Sequence, residues 1–239
     1  MRTERAAGKN MLLASMFAVV CVLAWLDNPA LGVEPSRAEA DRFARWEAAM
    51  QEFEQQDVAR PPSPGGIVFV GSSSIRLWNL NKWFHDLAPP PVNRGFGGSQ
   101  IADATHFADR LVLEHKPRTV VFYSGDNDIA AGRSPEQVAD DFAQFCEVVH
   151  RTLPETRVVF ISIKPSPSRW KLAKEAQTAN DRIRDLCKGN ERLVYVDVWA
   201  AMLGEDGQPR AELFEKDMLH LNAVGYELWT KLVRPTLGN

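Results

Sequence analysis

Four short runs constrain this chain more than anything else in it: Ile67–Val70, Val120–Tyr123, Val158–Ile163 and Leu193–Val196. Each is apolar at nearly every position rather than at alternate ones, and β-branched and aromatic residues dominate. A strand with one wet face alternates; a run without alternation is covered on both faces. Residues 91–93 (Pro91–Asn93) make a weaker fifth candidate. Helical spacing fills the intervals. Ile101, Ala104, Ala108 and Leu111 form one apolar stripe, and Val138, Phe142, Phe145, Val149 and Leu153 form another. The second opens on Ser134-Pro135-x-Gln137, a capping box with proline at the first helical position. A third helix is predicted over about 170–188 and a fourth from Asn222, carrying Val224, Leu228 and Leu232. Doubly covered strands separated by helices mean a parallel sheet between two helical layers, an α/β protein of three-layer α/β/α architecture.

The chain has 239 residues and a formal net charge of −3. Five strands with their helices account for one domain of roughly 200 residues. The charges are interspersed with no basic stripe, so nucleic acid is not an expected partner. The N-terminus differs from the rest. Arg2, Arg5 and Lys9 precede the apolar run Met11–Leu26, and small residues follow at Ala30 and Gly32. That order reads as an export signal over residues 1–32, cleaved after about Gly32. The run is short for a membrane span yet long for a signal core, so an uncleaved anchor through residues 11–26 is the other reading. The expected location is the periplasm or the medium. Residues 33–66 then form an N-terminal helix, opened by Ser36-x-x-Glu39 and carrying Phe43, Trp46, Met50 and Phe53, with a linker that ends in PPSPGG (61–66). The main domain is 67–239. Of the cysteines beyond the signal, Cys146 lies on an apolar helical face, and buried free thiols at Cys146 and Cys187 are expected over a disulfide.

Open parallel sheets bind ligands at the carboxyl ends of their strands. After the first run comes Gly71-Ser72-Ser73-Ser74. After the weak strand comes Arg94-Gly95-Phe96-Gly97-Gly98-Ser99, and after the run Val120–Tyr123 comes Ser124-Gly125-Asp126-Asn127-Asp128. The segment 164–170 (KPSPSRW) follows the run Val158–Ile163, and Asp217-Met218-Leu219-His220 precedes the last helix. Each alone is a cap or a turn. Together they put a hydroxyl, a histidine with a carboxylate three residues ahead of it, an asparagine and a glycine-rich loop on one rim. Those are the parts of an acyl-transfer site: nucleophile, base, orienting group and oxyanion donors. Competing motifs fail on spacing. G-x-S-x-G needs glycine where Ile75 stands. GFGGSQ breaks the dinucleotide fingerprint, and no phosphate-binding P-loop is present. Asp126-Asn127-Asp128 starts like a calcium loop, but Ala130 occupies its fifth position. No histidine pair has metal-site spacing. Arg94, Arg169, Trp170 and Trp78 are candidates to line the pocket, although an aromatic near a strand end more often serves packing.

At these residues the chain resembles the SGNH/GDSL hydrolase superfamily, in particular its small single-domain esterases of the platelet-activating-factor acetylhydrolase type. The shared pattern is a strand ending F-[IV]-G-x-S, then N-x-G-x-G-G, G-x-N and D-x-x-H, met here in order across residues 67–220. The resemblance implies a flavodoxin-like five-stranded parallel sheet and a serine esterase or acylhydrolase that cleaves carboxylic esters, short-chain acyl esters above all, without a cofactor or metal. It implies Ser73 as nucleophile, Asp217 and His220 as its partners, and Ser73 N–H, Gly98 N–H and the Asn127 side-chain amide as oxyanion donors. Substrates would be small-molecule, carbohydrate or lipid esters. Transfer of the acyl group to a sugar hydroxyl is the alternative, and an inactive carbohydrate-binding relative is another. The chain departs from the pattern at Ser72, where the family has aspartate, so the local hydrogen bonding of the turn is expected to differ. Asp126 in place of the more usual threonine is a milder departure.

Overall fold

The computed structural model describes residues 37–238. The predicted export segment and Ser36, which opens the Ser36-x-x-Glu39 box, lie outside the described residues. Five strands form one parallel sheet: β1 (Ile67–Gly71), β2 (Val92–Gly95), β3 (Thr119–Tyr123), β4 (Arg157–Ile161) and β5 (Leu193–Val196), in the order β2-β1-β3-β4-β5. This is the predicted α/β/α arrangement. Because side chains alternate across a pleat, each apolar strand feeds two cores. Val68, Val70, Val120, Phe122, Val158 and Phe160 face one, where Phe142, Phe145 and Val149 of the helix Pro135–Thr152 meet Ala179 and Ile183 of the helix Ala173–Lys188. Phe69, Val121, Tyr123, Val159 and Ile161 face the other, against Trp78 and against Tyr226 and Trp229 of the helix Ala223–Val233.

The ends of these elements have local causes. The capping box forms: Ser134 N–H donates to Gln137 Oε1 at 2.9 Å, and Gln137 N–H to Ser134 Oγ at 3.3 Å. The edge strand starts at Val92 because Pro91 has no N–H for the ladder. The run predicted as strand to Ile163 leaves the ladder at Ile161. There the Asn180 side chain takes over both backbone groups of Ile163, accepting its N–H at 2.7 Å and donating to its carbonyl at 2.9 Å. The N-terminal segment forms two helices, Arg37–Ala44 and Glu47–Ala59, rather than one. Their junction is a tight turn in which Trp46 N–H donates to Phe43 O at 2.9 Å. The pair docks through buried Met50, through Trp46 set edge-on to Phe96, and through Arg110, which bridges Glu47 and Glu54.

Cys146 and Cys187 are both buried and free. Burial pushes the Cys187 thiol up to about 11 and the Cys146 thiol higher still. Among the described residues no helix is long and apolar enough to cross a membrane.

Candidate active site

The carboxyl end of β1 is stitched on both sides. Ser72 N–H donates to Tyr123 O at 3.1 Å, and Phe96 N–H to Gly71 O at 2.9 Å. Gly71 has φ +145°, and a Cβ there would stand 1.8 Å from the Tyr123 carbonyl oxygen. Only glycine lets the strand turn this close to its neighbour. The chain then enters the short helix Ser73–Arg76. Ser72 and Ser74 are both wholly buried, and Ser73 alone of the three serines reaches the surface. As the first residue of its helix, Ser73 also has an N–H with no intrahelical acceptor.

Across the rim, Ser73 Oγ lies 3.0 Å from His220 Nε2. His220 Nδ1 lies 2.5 Å from Asp217 Oδ2. One carboxylate both folds this turn and holds the ring. Asp217 Oδ1 accepts the N–H groups of Leu219 and His220, each at 2.9 Å, while Oδ2 meets the imidazole. The hydrogen bond from His220, helped by those two backbone donors, lowers the Asp217 carboxyl to about 2. Met218, between them, sits in the left-handed region at φ +56°. That conformation costs a non-glycine residue about 1–2 kcal/mol. The Met218 carbonyl is held from the neighbouring loop by Ser168 N–H at 3.1 Å.

The other two blocks converge on the same place. Gly98 has φ +86°, and the Trp46 ring would lie 3.8 Å from a Cβ there. Asn127 belongs to the short helix Asp126–Ala130, and its Nδ2 donates to Ser99 O at 3.0 Å, tying it to the residue after Gly98. Asp128 reinforces the join, since its Oδ1 accepts Ile101 N–H at 3.1 Å. So Ser73, Gly98, Asn127 and the pair Asp217 and His220, spread over four segments in sequence, share one rim.

Burial drives the Asp128 carboxyl up to about 7; the Ile101 N–H opposes this and the nearby Asp126 charge adds to it. In the unfolded chain it titrates at about 3.9. The folded state therefore binds the proton more tightly, and the stability this supplies, complete below about pH 4, is lost as pH rises through about 7. Asp128→Asn removes that loss. In urea unfolding it gains on the native chain as pH rises from about 5 to about 8, and gains nothing below about pH 4. Burial makes His106 and His115 harder to protonate; their effect has the opposite sign and is common to both chains, so the difference isolates Asp128. A difference independent of pH would contradict the assignment.

Two of the four candidates to line the pocket are engaged elsewhere, Trp78 in the packing role that aromatics near a strand end more often take. Arg94 is buried against Asp57 of the N-terminal helix and the Phe53 ring. Trp78 is 1% exposed, packed among Phe69, Phe84 and Trp229. Trp170 stacks near Trp199 with ring centroids 6.1 Å apart. Arg169 does reach the site: its guanidinium donates to Asn127 Oδ1 at 3.0 Å. Lys164 was not legible as a site residue. It is buried, and its ammonium donates to Ser74 Oγ at 3.2 Å, Tyr123 OH at 3.1 Å and Asp126 Oδ2 at 3.0 Å. Its one sequence signal is a lysine that directly follows a buried apolar run.

A doubly wound sheet with this rim defines the class of SGNH ester hydrolases. The chain belongs to the GDSL-like lipase/acylhydrolase family, which it matches over residues 78–228. The matched span takes in Gly98, Asn127, Asp217 and His220 and begins just past Ser72–Ser74, where the chain departs from the family pattern. Solved structures share the fold. One is a Streptococcus pneumoniae protein named for platelet activating factor, at TM-score 0.72 and 21% identity over 85% of this chain and 100% of that one. Another is a GDSL-like lipase from Bacteroides thetaiotaomicron, at 0.69 and 19% over 79% and 96%. A third is a Geobacillus acetyl-xylooligosaccharide esterase, at 0.59 and 14% over 74% and 96%. No curated protein matches the chain.

Proposed function

We propose that the protein hydrolyses short-chain acyl esters through an acyl-enzyme on Ser73. The observation that carries this is the unbroken chain Ser73 Oγ, His220 Nε2, His220 Nδ1, Asp217 Oδ2, with gaps of 3.0 and 2.5 Å. His220 takes the Ser73 proton as the oxygen attacks the ester carbonyl. Asp217 keeps the other imidazole proton on Nδ1 and stabilises the imidazolium that forms. The oxyanion is met by the Ser73 N–H, the Gly98 N–H and the Asn127 amide. His220 returns the proton to the departing alcohol. Water then attacks the acyl-enzyme with His220 again as base, and acid and Ser73 are released. No step calls on a cofactor.

The short-chain preference is supported by how open the rim is. The Asp217 side chain is 50% exposed and that of His220 29%. A long acyl chain bound there would bury little apolar surface, and burial is what makes each added methylene worth about 0.8 kcal/mol. The name of the Geobacillus neighbour, an acetyl-xylooligosaccharide esterase, points the same way. Export through residues 1–32, with acetylated extracellular or envelope polysaccharide as substrate, fits the N-terminal sequence.

The test is a series of p-nitrophenyl esters from acetate to decanoate, run beside acetylated sugars. The expected kcat/KM is highest for acetate or butyrate and falls with each longer acyl chain. A value that rises to the decanoate would overturn the short-chain reading. A product that is mainly a newly acylated sugar, when a free sugar is added, would make the enzyme a transferase.

A further inference from the structure

An asparagine that stabilises an oxyanion has a problem that a backbone N–H does not. Its amide is free to rotate and to flip, and a flipped amide presents oxygen where a donor is needed. The neighbours of Asn127 remove that freedom. Its Oδ1 accepts from the Arg169 guanidinium at 3.0 Å, and its Nδ2 donates to the Ser99 carbonyl at 3.0 Å. Arginine only donates and a carbonyl only accepts, so the two partners dictate which end of the amide is which. The amide is planar. With Oδ1 and one Nδ2 proton fixed, a single proton is left over, in a direction already set.

Arg169 is itself anchored. It stands 3.1 Å from Asp126 Oδ2, the oxygen that also accepts from Lys164 at 3.0 Å. Burial works against the Asp126 charge, but Lys164 and Arg169 outweigh it and hold the carboxyl below its usual range. Lys164 spends its other two protons on Ser74 Oγ and Tyr123 OH. The ammonium is thereby fully satisfied in a site that is 4% exposed. The network thus joins the residue after the proposed nucleophile to the residue before the proposed oxyanion donor. Ser72, by contrast, contributes no such tie: its buried hydroxyl has no partner.

We propose that Arg169 is a positioning residue for ester cleavage: anchored on the buried Lys164–Asp126 pair, it fixes and polarises the Asn127 amide so that its remaining proton faces the oxyanion. The guanidinium pulls electron density toward Oδ1, which strengthens the Nδ2 donor on the far side. The proposal rests on reading Asn127 as an oxyanion donor. The interaction matters most when the negative charge has formed, so its loss is expected in kcat rather than in KM.

The experiment is a double-mutant cycle on p-nitrophenyl acetate with Arg169→Met, Asn127→Ala and the pair. Asn127→Ala is expected to lower kcat by about 10²–10³-fold. Arg169→Met is expected to lower kcat by about 10–100-fold with KM within about threefold. In the Asn127→Ala background the Arg169 substitution should cost less than about threefold more. Arg169→Lys keeps the charge but not the two-pronged reach to Asp126 and Asn127. It should recover part of the rate, and it carries the same cycle if the methionine chain melts below the assay temperature. An Asn127→Ala variant with native kcat would remove the oxyanion assignment and this proposal with it. A costly Asn127→Ala, with an Arg169 effect undiminished in that background, would remove this proposal alone. So would an Arg169 effect confined to KM, since the guanidinium would then bind substrate directly.

Discussion

Ser73→Ala lowers kcat for p-nitrophenyl acetate by roughly 10⁴–10⁶-fold while leaving the fold and its melting temperature nearly unchanged. The expectation follows from what each of the three adjacent hydroxyls touches. Ser73 Oγ is the one within reach of an imidazole, at 3.0 Å, and it is the one at the surface. Ser72 Oγ is buried without a partner. Its loss leaves no group unsatisfied, so Ser72→Ala keeps its activity and is neutral or slightly stabilising. Ser74 Oγ accepts from Lys164 at 3.2 Å. Ser74→Ala strips that ammonium of one acceptor and keeps at least about a tenth of the rate. If Ser74→Ala or Ser72→Ala is the inactive chain instead, the register of the turn is wrong.

Asp217→Asn is the second large effect, and it separates two jobs done by one side chain. Asparagine keeps an oxygen at Oδ1, where the N–H groups of Leu219 and His220 donate at 2.9 Å. The turn therefore survives. At the other position a donor replaces an acceptor 2.5 Å from His220 Nδ1. An amide N–H there pairs with an unprotonated Nδ1 and drives the imidazole proton onto Nε2. Nε2 then faces Ser73 with a proton instead of a lone pair, and the base is gone. The loss expected is about 10⁴-fold in kcat with little change in stability. Measured kcat and circular dichroism of the purified variant check both halves. Retention of more than about a tenth of the native kcat would show that something other than Asp217 sets the tautomer.

What could be read from the sequence, and what could not, divides along the range of the interactions. Strands covered on both faces declare themselves in the run Val120–Tyr123 without reference to anything distant. The capping box at Ser134 and Gln137 is likewise complete within four residues. The rim residues were legible because order along the chain and position at strand ends are both sequence properties. Local sequence does not suffice where a remote side chain decides the outcome. Asn180 ends β4 early from a helix 17 residues on. Arg94, from its place after a strand, reads as a pocket residue, yet it is buried against Asp57, 37 residues earlier. Lys164 reads as a solvated loop lysine until Asp126, 38 residues before it, is placed alongside. Nothing in local spacing encodes a buried ion pair of that kind.

The claim on which all of this depends is that Ser73, alone among three consecutive serines, is the activated nucleophile. An active-site-directed organophosphonate ester, followed by peptide mapping of the adduct, tests it most directly. One phosphonyl group per chain, on Ser73, with labelling slowed by orders of magnitude in His220→Ala, is the predicted result. An adduct on Ser72 or Ser74, or full esterase activity after the Ser73 hydroxyl has been blocked, would contradict it.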